Sequence, residues 1–183
     1  LRGTSGAIGQ ALKALAQKQA LDTEIGRLAR AAVTAPDTSH RRSGGGAGGG
    51  GGAGNKKDKE LAGLLGEAFV YEQFRLTLPG FDERSWRSCN RNLYGLEGKG
   101  DDSLGCDFSY RDVDGRLTTD PNRPMCYMDV KASSGDGSEP FQMSANEWNK
   151  ARECHESSDS VYAVIRVAHV REAPTVVDII FDP

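Results

Sequence analysis

The chain has 183 residues, 37% of them hydrophobic, and a formal net charge of -3. No apolar run approaches the roughly twenty residues a membrane helix needs, so a helical span is excluded, and no secretory signal is expected. The charge is divided: residues 1–57 hold nine Lys/Arg against three Asp/Glu, and residues 58–183 hold fourteen against twenty-three.

The first residue is Leu1 rather than Met, as expected of a piece of a longer protein. Residues 6–33 predict an amphipathic helix. Ile8, Leu12 and Leu15, then Leu21, Ile25 and Leu28, follow helical spacing, and Lys13, Lys18, Arg27 and Arg30 form the polar side. A protein partner or another part of a parent chain is expected to bind through residues 6–33. Residues 34–57 read as a linker. Gly44 to Gly54 is nine glycines and two alanines, a flexible coil with nothing to bury. It lacks the strand and the Lys-Ser/Thr that would make it a phosphate-binding loop.

The folded domain is expected over 58–183. Asp58 and Glu60 suit the positive end of a helix running to about Leu76. Leu61, Leu64, Leu65 and Ala68 make one face; Gly63, Val70 and Phe74 make another, with Glu67 in the middle of it. A helix apolar on two faces is buried on two sides, so Glu67 needs a partner, such as a metal, a lysine or backbone donors. A short strand is expected over Ser85–Arg91 with Trp86 inward, then a polar loop over Asn92–Ser103. Asp107 to Asp112 reads as a second strand, Asp112-Val113-Asp114-Gly115 as a turn with a hairpin signal, and Met125 to Ala132 as a third strand. Residues 116–124 read as a loop or weak strand. Ser144-x-x-Glu147 is a capping box opening a helix from Ala145 to His155. Val161–Val167 and Thr175–Phe181 complete the pattern as strands. Trp86 and Trp148 are both expected to be core anchors.

The four cysteines, Cys89, Cys106, Cys126 and Cys154, form no Cys-x-x-Cys pair. They read as reduced core thiols of an intracellular protein, and their spacing gives no zinc site. Two carboxylates brought together on neighbouring strands can hold a divalent metal, and Asp107 and Asp129 are so placed. Lys131, two residues past Asp129, points to the same face of its strand. Asp-x-Lys arises by chance about once in every 150 residues, so its weight comes from Asp107 and Glu67, both in apolar contexts where an unpaired charge is costly.

This order of elements, with a carboxylate on the first helix, another on the second strand and Asp-x-Lys on the third, resembles the PD-(D/E)XK nuclease superfamily. Gly66-Glu67, Trp86…Asn90, Gly105-Cys106-Asp107-Phe108, Asp129-Val130-Lys131-Ala132-Ser133 and Phe141 to Trp148 resemble the C-terminal domain of plant NO VEIN proteins. The resemblance covers about residues 60–181. It implies a restriction-endonuclease-like α/β fold, a mixed sheet flanked by helices, at the end of a large, often ATPase-bearing protein. Such domains commonly carry Glu where this chain has Asp129, which shortens one ligand arm by a methylene.

The implied activity is metal-dependent hydrolysis of phosphodiester bonds in nucleic acid. Glu67, Asp107, Asp129 and Lys131 would be catalytic. Asp107, Asp129, the Val130 carbonyl and Glu67 would hold Mg²⁺ or Mn²⁺. Ser133 and Ser134 would touch the phosphate. Lys131 would orient or help deprotonate the attacking water. The acidity of residues 58–183 favours the alternative, a catalytically inactive nuclease-fold module that docks a basic partner or regulates an ATPase-type parent. The resemblance makes the nucleus the expected compartment, with the cytoplasm as the other.

Overall fold

The computed structural model describes residues 52–118 and 120–183, with side chains from residue 56 onward. The helix expected over 6–33 and most of the Gly-rich tract lie outside the described residues. The element order is helix α1 (Gly52–Thr77), a 3-10 turn (Glu83–Ser85), a short helix α2 (Asn90–Tyr94), a second 3-10 turn (Asp102–Leu104), strands β1 (Phe108–Arg111) and β2 (Met125–Ala132), helix α3 (Ala145–Glu156), and strands β3 (Ser160–Ala168) and β4 (Thr175–Phe181).

The strands form one mixed sheet in the order β1-β2-β3-β4. β2 and β3 run parallel, as the crossover through α3 requires, and the two outer pairs are antiparallel. Side chains alternate across the sheet. On β2, Cys126, Met128 and Val130 turn to the larger core with α1; Tyr127 packs on the opposite, smaller core with Ala151 and Cys154 of α3. Asp129 and Lys131 share the side of Tyr127, by the two-residue period of a strand.

α1 is buried around most of its middle, as two apolar faces demand: Leu65, Ala68, Phe69, Val70 and Phe74 are all inside. Each large aliphatic or aromatic side chain buried there contributes about 1.5–3 kcal/mol. The helix is already formed at Gly52, ahead of the start expected at Asp58. Propagation from an established helix adds one bond per residue, so it runs back through residues that would not nucleate alone. Gly66 lets α1 lie directly on β2, because a Cβ there would stand 2.5 Å from the Cβ of Ala132.

Several expectations are corrected. No strand forms over 85–91; a single bridge joins Trp86 to Phe108, and Asn90 opens α2. The order is therefore two helices, two strands, a helix and two strands. Two successive bonds to the Asp107 carbonyl, from the Arg87 and Ser88 amides at 2.6 and 3.3 Å, turn the chain out of any ladder. Ser, Asn and Cys at 88–90 then favour local bonding over strand pairing. The turn at Asp114-Gly115 does not close a tight hairpin. The buried Asp112 carboxylate accepts the amides of Arg116, Leu117 and Thr118 at 2.7–2.9 Å, organising a longer loop before β2, with no strand over 116–124 among the described residues.

Trp86 is the expected core anchor, 0% exposed and in contact with Tyr71, Tyr94 and Phe108 at centroid distances of 5.1–5.4 Å. Trp148 is not; it is 56% exposed on the outer side of α3. All four cysteines are free; Cys106, Cys126 and Cys154 are buried and Cys89 is exposed. No helix among the described residues is long and apolar enough to cross a membrane.

Candidate functional site

A cleft of about 210 Å³ opens beside the start of β1, one of the two edge strands of the sheet. Its walls come from α1 (Glu67), the segment before α2 (Ser88), α2 (Asn90), the 3-10 turn and loop before β1 (Asp102, Gly105, Cys106, Asp107), β2 (Asp129) and α3 (Glu147). Because the cleft passes the open edge, carboxylates from opposite faces of the sheet reach it. Gly105 makes this geometry attainable. Its φ of +69° disfavours L side chains, and a Cβ would lie 2.3 Å from the Asn146 carbonyl oxygen at the start of α3.

Asp107 precedes β1. Its amide donates to the Met128 carbonyl at 2.8 Å, and its Oδ2 accepts the Val130 amide at 2.7 Å. These bonds fix the carboxylate beside β2. Burial pushes its pKa well above the usual range, and the neighbouring charges of Glu67 and Asp129 push the same way. The bond found for Val130 at the site comes from its amide, while its side chain packs under α1.

Asp129 is 3% exposed. Burial raises its pKa to about 6 against the opposing pull of Lys131. Lys131 Nζ stands 2.9 Å from Asp129 Oδ2, an ion-pair distance, yet that oxygen has no aligned hydrogen-bond donor. The ammonium aligns instead on Glu147 Oε2 at 2.6 Å. Burial alone would lower the Lys131 pKa, but Asp129 and Glu147 more than offset it and leave it raised. Lys131 is therefore held as a cation.

Glu67 finds the partners its position demands in three side chains. Trp86 Nε1 donates to Oε2 at 2.8 Å, the Ser88 hydroxyl donates to the same oxygen, and Asn90 Nδ2 donates to Oε1 at 2.5 Å. Burial nonetheless raises its pKa to about 7.

The fold thus brings Glu67, Asp107 and Asp129 into one cleft, with Lys131 ion-paired to Asp129 and hydrogen-bonded to Glu147 at its wall. Ser133 and Ser134 are not among the residues lining it. They follow β2, where the Ser133 hydroxyl bonds Glu139 at 3.1 Å and Gly135 N donates to the same hydroxyl at 3.0 Å. The capping box predicts Glu147 as a helix cap. Its carboxylate accepts the Ser144 amide at 2.8 Å and also holds Lys131. Ser88 and Asn90 are not among the site residues predicted from sequence, although Asn90 closes the Trp86…Asn90 motif. Their signal was the spacing Trp86, Ser88, Asn90, three donors at alternate positions.

Among the described residues no group of three or more His, Cys, Asp or Glu stands ready to hold a metal ion. The donor set fits Mg²⁺ or Mn²⁺ in a narrower sense. Such ions often take one or two carboxylates and keep several waters. Asp107 and Asp129 offer two carboxylates whose raised pKa values a cation would relieve, and Asp129 Oδ2 lacks an aligned donor.

The family model for the C-terminal region of Protein NO VEIN matches residues 87–179. The chain belongs to this family. No curated protein and no solved structure matches the chain. The NO VEIN match spans Asp107, Asp129, Lys131 and Glu147, together with Ser88 and Asn90, but begins after Glu67 and Trp86. Nothing in these comparisons extends to the PD-(D/E)XK superfamily, a likeness carried by the order of the motifs alone.

Proposed function

We propose that this NO VEIN C-terminal domain is a metal-assisted phosphodiesterase acting on nucleic acid. The observation that carries the reading is the placement of Asp107 and Asp129 in one cleft, with the buried Asp129 Oδ2 2.9 Å from a lysine held as a cation. Asp107 and Asp129 would hold Mg²⁺ or Mn²⁺, which when bound supplies Lewis-acid polarisation of a phosphate oxygen and a more acidic water. Lys131, protonated and fixed by Glu147, stabilises negative charge that develops on the phosphoryl oxygens. It does not serve as the base in this state. Glu67, with both oxygens engaged, positions the 86–90 segment that forms one wall; with a pKa of about 7 it can also take up a proton near neutrality. The Val130 carbonyl remains part of the proposed ligand set, and Ser133 and Ser134 remain candidates for contact with a strand that extends past β2.

The acidity of residues 58–183 favours a second reading, a nuclease-fold module that no longer cleaves and binds a basic partner or the parent chain. Three buried free thiols suit an intracellular setting, and the family resemblance favours the nucleus.

Calorimetry with Mg²⁺ and Mn²⁺ on the full chain and on Asp129→Asn separates the readings. Metal binding lost in the variant, with Mn²⁺-dependent cleavage of oligonucleotides by the wild type alone, supports the enzyme. A folded wild type that neither binds metal nor cleaves favours the binding module.

A further inference from the structure

We infer that the outer face of α3 carries a binding site for single-stranded nucleic acid, in which Trp148 stacks on an unpaired base and Arg152 takes the neighbouring phosphate. The inference rests on the phosphodiesterase reading for the class of ligand and adds to it a second contact outside the cleft.

A cavity of about 200 Å³ lies against the outer side of α3. It is lined by Trp148, Ala151, Arg152 and His155 of the helix and by Asp182 and Pro183 after β4. Positions 148, 152 and 155 follow the i, i+4, i+7 spacing, so the three side chains form one stripe along the helix. Trp148 and Arg152 are one turn apart, about 5.4 Å along the axis, which sets the indole beside the guanidinium. All three residues of the stripe are exposed, while Ala151 and Cys154 on the adjoining face are buried in the smaller core. Trp148 belongs to neither core cluster.

The charge of the stripe differs from that of its surroundings. Residues 58–183 hold fourteen Lys/Arg against twenty-three Asp/Glu. The acidic group lining the cavity and the one next to Arg152 are nevertheless engaged. Asp182 is ion-paired with Arg123 at 2.6 Å, and Glu153 with Lys150 at 2.6 Å. Arg152 forms no ion pair among the described residues; its guanidinium donates to the neutral Asn149 Oδ1 at 3.3 Å. A planar cation so placed offers donors to a phosphate oxygen, and the His155 ring adds an N–H in either protonation state.

The neighbourhood favours a flat ring over a protein surface. The other large exposed apolar side chains among the described residues, Leu76, Leu93 and Val113, lie on α1, α2 and the β1–β2 loop, none of them on α3. A protein partner covers on the order of 800 Å² on each side and needs a broad apolar centre. A cavity of about 200 Å³, below the roughly 300–1,000 Å³ of pockets that enclose a whole small ligand, takes one ring. An aromatic platform flanked by a cation is the arrangement that holds a single-stranded base and its phosphate. Glu147, the residue before Trp148, is part of the cleft wall, so a strand leaving the cleft over the start of α3 meets Trp148 next.

The test is fluorescence anisotropy on the full chain in EDTA, over a range of salt. The probes are short labelled DNA and RNA single strands, a duplex of the same length, and a strand built of abasic units. Trp148→Ala should fold as the wild type does, since Trp148 lies outside the core, and should bind the single strands about tenfold more weakly. Trp148→Phe should recover part of that loss. The wild type should prefer single strands to duplex, and the abasic strand should bind the wild type and Trp148→Ala alike. Arg152→Ala should weaken binding and reduce the salt slope by about 0.7. Val113→Ala, which trims an apolar side chain 70% exposed on the β1–β2 loop, should change nothing. No single-strand binding by the wild type, binding that Trp148→Ala leaves intact, an equal loss for the abasic strand, or an unchanged salt slope in Arg152→Ala would each overturn the inference. So would a Trp148 already shielded from acrylamide without oligonucleotide, because a segment of the chain would then cover the site. Trp148-dependent binding without cleavage in Mn²⁺ would uphold the inference and defeat the phosphodiesterase reading. Cleavage with binding indifferent to Trp148 would do the reverse.

Discussion

Glu147 Oε2 is shared by Lys131 Nζ at 2.6 Å and the Ser144 amide at 2.8 Å. One oxygen thus caps the start of a helix and holds the cation of the cleft. The cap sets the direction of α3, and α3 sets the position of the carboxylate that keeps Lys131 charged. Lys131→Met should leave Asp129 and Glu147 as uncompensated, largely buried carboxylates. We expect a loss of about 2–4 kcal/mol in urea denaturation at pH 8. In a double-mutant cycle, Glu147→Gln in the Lys131→Met background should cost much less than in the wild type.

The raised pKa of Glu67 makes stability depend on pH with a definite sign. Its folded value of about 7 lies above the ordinary 4.5, so between those values the folded state binds more protons than the unfolded. Stability then falls as pH rises through this window. Asp129, raised from 3.8 to about 6, acts in the same direction slightly lower. Thermal melts should show a midpoint higher at pH 5.5 than at pH 8, from a contribution on the order of 2–3 kcal/mol for Glu67. Glu67→Gln should flatten the pH dependence. A midpoint that climbs from pH 5.5 to pH 8 would mean that the carboxylates are ionised at no cost.

How far the sequence anticipates this arrangement depends on whether a signal is local. β2 and β4 run over the expected Met125–Ala132 and Thr175–Phe181, because dense apolar and β-branched residues leave few alternatives. The Ser144–Glu147 capping box forms as read, since both partners lie within one turn. Glu67 on a two-faced helix correctly implied a polar partner. The identity of that partner was not legible, because Trp86, Ser88 and Asn90 reach it from about twenty residues away through a segment that reads as a strand. The same three residues explain why that strand does not form. The second role of Glu147 was hidden because it requires α3 to pack beside β2, a tertiary fact.

Gly66→Ala should show that the cleft depends on the α1–β2 approach. A Cβ would meet Ala132 Cβ at 2.5 Å and Val130 Cγ1 at 3.3 Å. The gain in helix propensity, up to about 1 kcal/mol, is outweighed by overpacking worth about 1–3 kcal/mol. We expect net destabilisation in urea melts. Because Val130 and Ala132 flank Lys131 on β2, the cleft should also shift, which metal titration of the folded variant would detect as weaker binding.

Asp129→Asn should have opposite effects with and without metal. Without it, the amide removes a buried carboxylate whose ionisation is resisted, and the variant should be about 1 kcal/mol more stable than the wild type at pH 8. With millimolar Mn²⁺, the wild type should gain thermal stability by mass action and the variant should not. A variant stabilised by Mn²⁺ as much as the wild type would remove Asp129 from the ligand set.

The two tryptophans provide the last contrast. Trp86 is fully buried, packs on Tyr71, Tyr94 and Phe108, and donates its indole N–H to Glu67. Trp86→Phe keeps most of the apolar contact but removes a donor from a buried carboxylate, at a cost of about 1–3 kcal/mol. That cost should be smaller at pH 5.5, where Glu67 is protonated and needs the donor less. Trp148 is more than half exposed, so Trp148→Ala should change stability by no more than about 0.5 kcal/mol at either pH. Acrylamide should quench the fluorescence of Trp148 in the Trp86→Phe variant efficiently, and that of Trp86 in Trp148→Ala poorly. A large stability loss in Trp148→Ala would restore Trp148 to the core and reverse the assignment of the outer face of α3.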